Sequence, residues 1–106
     1  MRTITLNNGM EMPQIGLGTF TATDEQTYAS VSAALDCGMR LVDTAHVYNN
    51  EEAVGRAIAD SGVPREEVFV SSKIWPTEYG AGRTLPAIDA LLARLGLECL
   101  DLLLLH

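Results

Sequence analysis

The sequence predicts an α/β fold: a β-hairpin, then four parallel strands that alternate with three helices. Three observations carry this reading. Strand-sized apolar runs such as Leu41-Val42, Val68-Phe69-Val70 and Leu102–Leu105 alternate with segments of helical spacing. Those runs are nearly continuous in apolar character, as strands covered by helices require. And 106 residues, 47% hydrophobic and 20% charged, suit one small globular domain. No linker or low-complexity run divides them.

The elements follow in order. Thr3-Ile4-Thr5-Leu6 alternates polar and apolar residues. Asn8-Gly9 then predicts a two-residue type I′ turn into Met10-Glu11-Met12, which Pro13 ends. Ile15–Gly18 reads as a short first strand. Asp24 is the expected N-cap of the first helix, with Glu25 in its first turn. Tyr28, Val31, Ser32 and Leu35 set its spacing, and Gly38 stops it. Leu41-Val42 forms the second strand, closed by Asp43-Thr44. Asn50 is the expected cap of a helix over 51–59, which ends before Gly62. Pro64–Glu67 is one tight helical turn. Val68–Trp75, β-branched and aromatic, is the third strand. Leu85, Ile88, Leu91, Leu92 and Leu95 mark one face of a third helix, with Gly96 behind it. Leu100–His106 is the fourth strand.

Strands alternating with helices imply right-handed parallel crossovers. Two architectures fit: an open doubly wound sheet, or part of a (β/α)₈ barrel, which in full needs about 250 residues.

Charge and composition narrow the function. Seven Lys and Arg stand against 14 Asp and Glu, a net charge of −7. That sign disfavours nucleic-acid backbones and anionic membrane surfaces. No apolar run approaches the roughly 20 residues of a membrane span, and the N-terminus shows no signal-peptide core. Cys37 and Cys99 form no CxxC and no metal-ligand spacing, so neither a disulfide framework nor a metal site is expected. A reducing cytoplasm is the expected location.

The chemistry should sit where strands end. In βα folds functional groups gather at the carboxyl ends of the strands. Asp43 ends the second strand, Lys73 lies near the end of the third, His106 ends the fourth, and Tyr48 follows the second. Singly, each has a plain structural reading as turn residue, surface ring or incidental imidazole. Lys73 is the exception. Inside Val68-Phe-Val-Ser-Ser-Lys-Ile-Trp75 an unpaired ammonium would cost several kcal/mol, so it needs a carboxylate, and Asp43 on the neighbouring strand is the natural one. Gly16-Leu17-Gly18 is not a dinucleotide fingerprint, because the third glycine position is Thr21. These glycines read as close-packing positions.

In combination these motifs resemble the N-terminal part of the aldo-keto reductases. The matching stretches are Ile15-Gly-Leu-Gly-Thr-Phe20, Asp43-Thr-Ala-x-x-Tyr48-x-Asn50-Glu51, Val54-Gly-x-Ala57-Ile58, Arg65-Glu-Glu-x-Phe69-Val, Ser72-Lys73-x-Trp75 and Leu95-Gly-Leu-x-x-Leu-Asp101-Leu-x-Leu-x-His106. They cover nearly the whole chain in the family's order. The resemblance implies the N-terminal half of a (β/α)₈ barrel over residues 1–106, with the hairpin on its floor and the C-terminal half absent. It implies NADPH-dependent reduction of aldehydes or ketones by a tetrad of Asp43, Tyr48, Lys73 and His106. An unperturbed tyrosine, pKa about 10, is a poor acid at neutral pH, and a nearby ammonium favours its phenolate. Tyr48 would thus be the general acid, Lys73 its tuner, Asp43 the holder of Lys73, and His106 the group that orients the substrate oxygen.

The resemblance also places Gly18, Thr19 and Asp43 at the cofactor, and Phe20, Trp75 and His106 at the substrate. Asn49 replaces the family's common glycine, and Asn tolerates positive φ. The cofactor-gripping later strands of the family have no counterpart in these residues, so the chain alone is expected to be inactive or weakly active. The alternatives are a non-catalytic, self-associating half-barrel and a nicotinamide-binding partner subunit. Exposed apolar edges on the first and fourth strands would favour homo-oligomers.

Overall fold

In a computed structural model describing residues 1–106, β1 (Thr3–Thr5) and β2 (Glu11–Pro13) pair antiparallel, Thr3 opposite Pro13. The turn between them is not the expected type I′. That type needs positive φ at two consecutive central residues. Here Gly9 alone is positive, at 87°, and Asn7 and Asn8 are not. The loop therefore has three residues. The Gly9 N–H donates to Leu6 O at 2.9 Å and the Leu6 N–H to Met10 O at 2.8 Å. One glycine supplies all the left-handed backbone required.

A second sheet of four parallel strands holds the rest: β3 (Leu17–Gly18), β4 (Leu41–Asp43), β5 (Phe69–Ile74) and β6 (Leu102–Leu105), adjacent in chain order. Helices α1 (Asp24–Asp36), α2 (Glu51–Asp60) and α3 (Thr84–Leu95) form the crossovers. The pairing register sets Gly18 beside Asp43, Asp43 beside Ser71, and Lys73 beside Leu104. The expected α/β order is therefore present, with shorter strands at both edges. Gly16 lies so close to β4 that a Cβ there would stand 2.5 Å from Leu41 Cγ. His106 falls one residue past β6, yet its N–H still donates to Ile74 O at 3.1 Å.

The period of two in a strand divides β5 between two faces. Val70 and Ile74 join Val42 in a buried cluster with Val31 and Leu35 of α1, Val54 and Ile58 of α2, and Leu91 and Leu95 of α3. Burying each such side chain contributes roughly 1.5–3 kcal/mol, and this holds the helices on that face. On the other face lie Asp43, Ser71 and Lys73.

Three local expectations are corrected. Thr23, not Asp24, caps α1: its Oγ1 accepts the Gln26 N–H at 3.2 Å while Gln26 Oε1 accepts the Thr23 N–H at 3.1 Å. This reciprocal capping box satisfies two free N–H groups, which leaves Asp24 in the first turn. Asn50 begins α2 through its backbone, but its side chain makes no cap bond. Leu85 is 75% exposed, because the buried face of α3 runs through Ala87, Leu91 and Leu95. At the outer strand Leu104 and Leu105 are exposed, since nothing packs on that edge. No helix is long and apolar enough to cross a membrane.

Candidate active site

The carboxyl ends of β3 to β6 form one rim. Asp43 is the last residue of β4, and its carboxylate accepts Lys73 Nζ at 2.9 Å on Oδ1 and 2.8 Å on Oδ2. Ser71, two residues before Lys73 and so on the same face, donates its hydroxyl to Asp43 Oδ1 at 2.6 Å. Lys73 Nζ also donates to Thr44 O at 3.0 Å. The expected pair is therefore present. The lysine side chain is only 14% exposed, and the three acceptors hold its ammonium at a fixed point.

Tyr48 ends a 3₁₀ turn over His46–Tyr48 that follows β4. Asn49 closes this turn in the left-handed region at φ 59°, as Asn can. Lys73 Nζ lies 5.1 Å from the Tyr48 ring centroid. His106 meets Tyr48 edge-on at 5.9 Å between centroids and Trp75 at 5.3 Å, and Phe20 lies 5.1 Å from Tyr48. Six of the expected site residues, Asp43, Tyr48, Lys73, His106, Phe20 and Trp75, thus converge around one point. An acid, a cation and an imidazole meet a wall of three rings, half open to solvent. Such a set can take a polar, uncharged oxygen among its donors and an apolar body against its rings.

Thr19 takes a different place. It is 2% exposed, and its side chain turns inward, with Oγ1 3.3 Å from both Asn50 Oδ1 and Asp43 O. Asn50 is 1% exposed and binds four groups: Oδ1 also accepts the Thr44 hydroxyl at 2.9 Å, and Nδ2 donates to Thr19 O at 2.7 Å and Ala22 O at 3.3 Å. It ties the loop after β3 to the loop after β4. Sequence reasoning read Asn50 only as a helix cap, because an N-terminal Asn ordinarily is one. The available signal was the polar cluster Thr44, Asn50 and Glu51 beside apolar α2. His46 and Glu78, which bond across two loops at 2.9 Å, were also missed; nothing local in the sequence pairs positions 32 residues apart.

The residues fit the nicotinamide end of a dinucleotide. A Cβ at Gly18 would meet nothing within 4 Å, so the end of β3 leaves open space beside Asp43. Gly18 and the half-exposed Asp43 carboxylate would hold the ring, and Thr19 would shape the loop from behind. When bound, a nicotinamide supplies a hydride.

Comparison with known proteins agrees with this geometry. Residues 14–106 match the model of the aldo/keto reductase family. Morphine 6-dehydrogenase of Pseudomonas putida is 50% identical over 103 residues, 97% of this chain and 35% of that protein. Glycerol 2-dehydrogenase (NADP(+)) of Saccharomyces cerevisiae is 48% identical over 97% of this chain and 32% of its own length. Among solved structures, an aldo/keto reductase from Brucella melitensis superposes with a TM-score of 0.96 at 41% identity, over 99% of this chain and 40% of the other. An aldo-keto reductase from a Medee basin deep-sea metagenome library gives 0.93 at 52% identity, over 99% and 38%. The chain thus spans about a third to two-fifths of the length of these proteins. On its motifs, its half-barrel sheet and this match, the chain belongs to the aldo/keto reductase family.

Proposed function

We propose that this chain carries the acid–base machinery of an NADPH-dependent carbonyl reductase that converts aldehydes or ketones to alcohols. The observation that carries the reading is the convergence of Tyr48, the Lys73–Asp43 pair and His106 at one rim. Hydride addition to a carbonyl carbon leaves charge on its oxygen, which needs a proton. Tyr48 donates that proton as general acid. The Lys73 ammonium, 5.1 Å from its ring, stabilises the phenolate left behind. Asp43 holds Lys73 in place. His106 donates to the substrate oxygen and orients it. Phe20 and Trp75 hold the apolar part of the substrate. Gly18 and Asp43 form the nicotinamide side with Thr19 behind the loop, and a relative named for NADP(+) supports the phosphorylated dinucleotide. The two exposed free thiols, Cys37 and Cys99, suit a reducing cytoplasm.

The test uses the single Trp75. NADPH is titrated into the 106-residue chain while indole emission is followed, and aldehyde-dependent NADPH consumption is then assayed. Saturable quenching at micromolar NADPH supports a working cofactor site. Quenching absent up to millimolar concentration assigns cofactor binding to a longer protein of which this is the N-terminal half-barrel.

A second reading rests on the outer edge of β6, where Leu104 is 39% and Leu105 69% exposed. Two copies related by a two-fold axis would place eight strands about one centre. Sedimentation velocity decides it: a monomer at micromolar concentration removes this reading.

A further inference from the structure

One carboxylate joins two loops of the rim. His46 opens the turn that ends at Tyr48, and Glu78 ends a second 3₁₀ turn, Pro76–Glu78, that follows Trp75. Glu78 Oε1 accepts the Trp75 backbone N–H at 2.8 Å and lies 2.9 Å from His46 Nδ1. The same oxygen thus grips the backbone that carries Trp75 and the ring two residues before Tyr48. Between the two aromatic side chains sits the His106 ring, edge-on to both.

We propose that His46 and Glu78 are positioning residues: their contact latches the Tyr48 turn to the Trp75 turn and sets the width of the aromatic mouth around His106. That the mouth admits a carbonyl substrate rests on the function proposed above; the latch itself does not. The groups around His46 are few. Asp24 of α1, Glu51 and Glu52 of α2, and Arg94 of α3 line the same polar cleft. Arg94 is held by Glu51 at 2.8 Å, and Glu78 is the carboxylate that His46 hydrogen-bonds. Without the latch, neither turn has another side-chain bond to the other, and two short turns half open to water move separately.

Trp75, the only tryptophan, reports the latch directly. Acrylamide quenching and near-UV circular dichroism are measured on the 106-residue chain without cofactor or substrate. His46→Ala and Glu78→Ala are expected to raise the quenching constant about two- to five-fold, the scale that a part-exposed pair permits. His46→Asn keeps an N–H donor where Nδ1 stands, and is expected to restore wild-type quenching. Folded alanine variants that quench like the wild type overturn the proposal. Should the alanine variants fail to fold, His46→Phe, which keeps a ring and lacks the donor, decides: quenching like the wild type overturns the proposal. Failure of NADPH to bind leaves these readings unchanged, so the two proposals fail separately.

Discussion

Ser72 and Lys73 are neighbours in β5, yet each meets a carboxylate on a different face of the sheet. Ser72 is buried and donates to Glu51 Oε2 at 2.7 Å, and Arg94 Nε holds the other oxygen at 2.8 Å. That pair lies between α2, α3 and the sheet, with the Glu51 side chain 1% exposed. Lys73 meets Asp43, whose side chain is 36% exposed, on the open face. In the covered pair the carboxylate is taken out of water while Arg94 stays 25% exposed, so Glu51 depends on its partner. The open pair keeps water beside its carboxylate, so its loss should cost the fold little. Adjacent residues of one strand thus serve an ion pair on each face: Ser72 supports the Glu51–Arg94 pair, and Lys73 is itself half of the other.

The sharpest break of this contrast is Arg94→Leu. It leaves Glu51 buried with Ser72 as its remaining donor, and is expected to cost about 3 kcal/mol or more in urea unfolding. The double variant Glu51→Met with Arg94→Leu should recover most of that loss. If it does not, the covered pair contributes through packing and not through charge.

The covered face is tested next by Gly55→Ala. In an ordinary helix interior this change stabilises by about 1 kcal/mol. At position 55 the new Cβ would collide with the Leu95 carbonyl, where α2 crosses α3. A loss of about 1–3 kcal/mol is expected, read as a lowered thermal midpoint.

On the open face Lys73→Met should change stability by about 1 kcal/mol or less. Under the proposed function it lowers carbonyl reduction about 100-fold or more. Unfolding of Lys73→Met comparable to that of Arg94→Leu would erase the distinction between the faces.

The smallest effect belongs to Glu78. Burial raises its carboxyl, but hydrogen bonds from His46 and the Trp75 N–H outweigh that and hold it below its usual value of 4.5. A carboxyl lowered on folding contributes stability that is complete above that value and is lost as pH falls through the folded one. The thermal midpoints of wild type and Glu78→Gln should therefore differ most near neutral pH and converge in acid below about pH 4.5, from a difference of about 1 kcal/mol or less.

Much of the fold was legible because it is written locally. The apolar runs at Leu41-Val42 and Leu102–Leu105, and the helical spacing of Val31 and Leu35, depend on near neighbours in the chain. The Lys73–Asp43 pairing was legible for a related reason: a lysine inside a buried strand needs a carboxylate, and adjacent parallel strands bring their ends together. Thr23 was hidden behind Asp24, an equally good cap one residue on, and only the reciprocal bond from Gln26 selects between them. The Asn8-Gly9 turn failed similarly, since Asn-Gly fits both a two-residue and a three-residue loop.

By itself the sequence determined the class of fold, the strand ends that bear Asp43, Lys73 and His106, and the motifs that mark the family. These follow from periodicity and residue chemistry, which act over a few positions. Only the tertiary structure decided that Asn50 joins the loops after β3 and β4, that Glu51 belongs to Arg94, and that Glu78 reaches His46. Such contacts span 28 to 43 residues. A hydrogen bond forms only once packing has fixed both ends within about 3 Å, and that placement comes from the whole core and not from either residue.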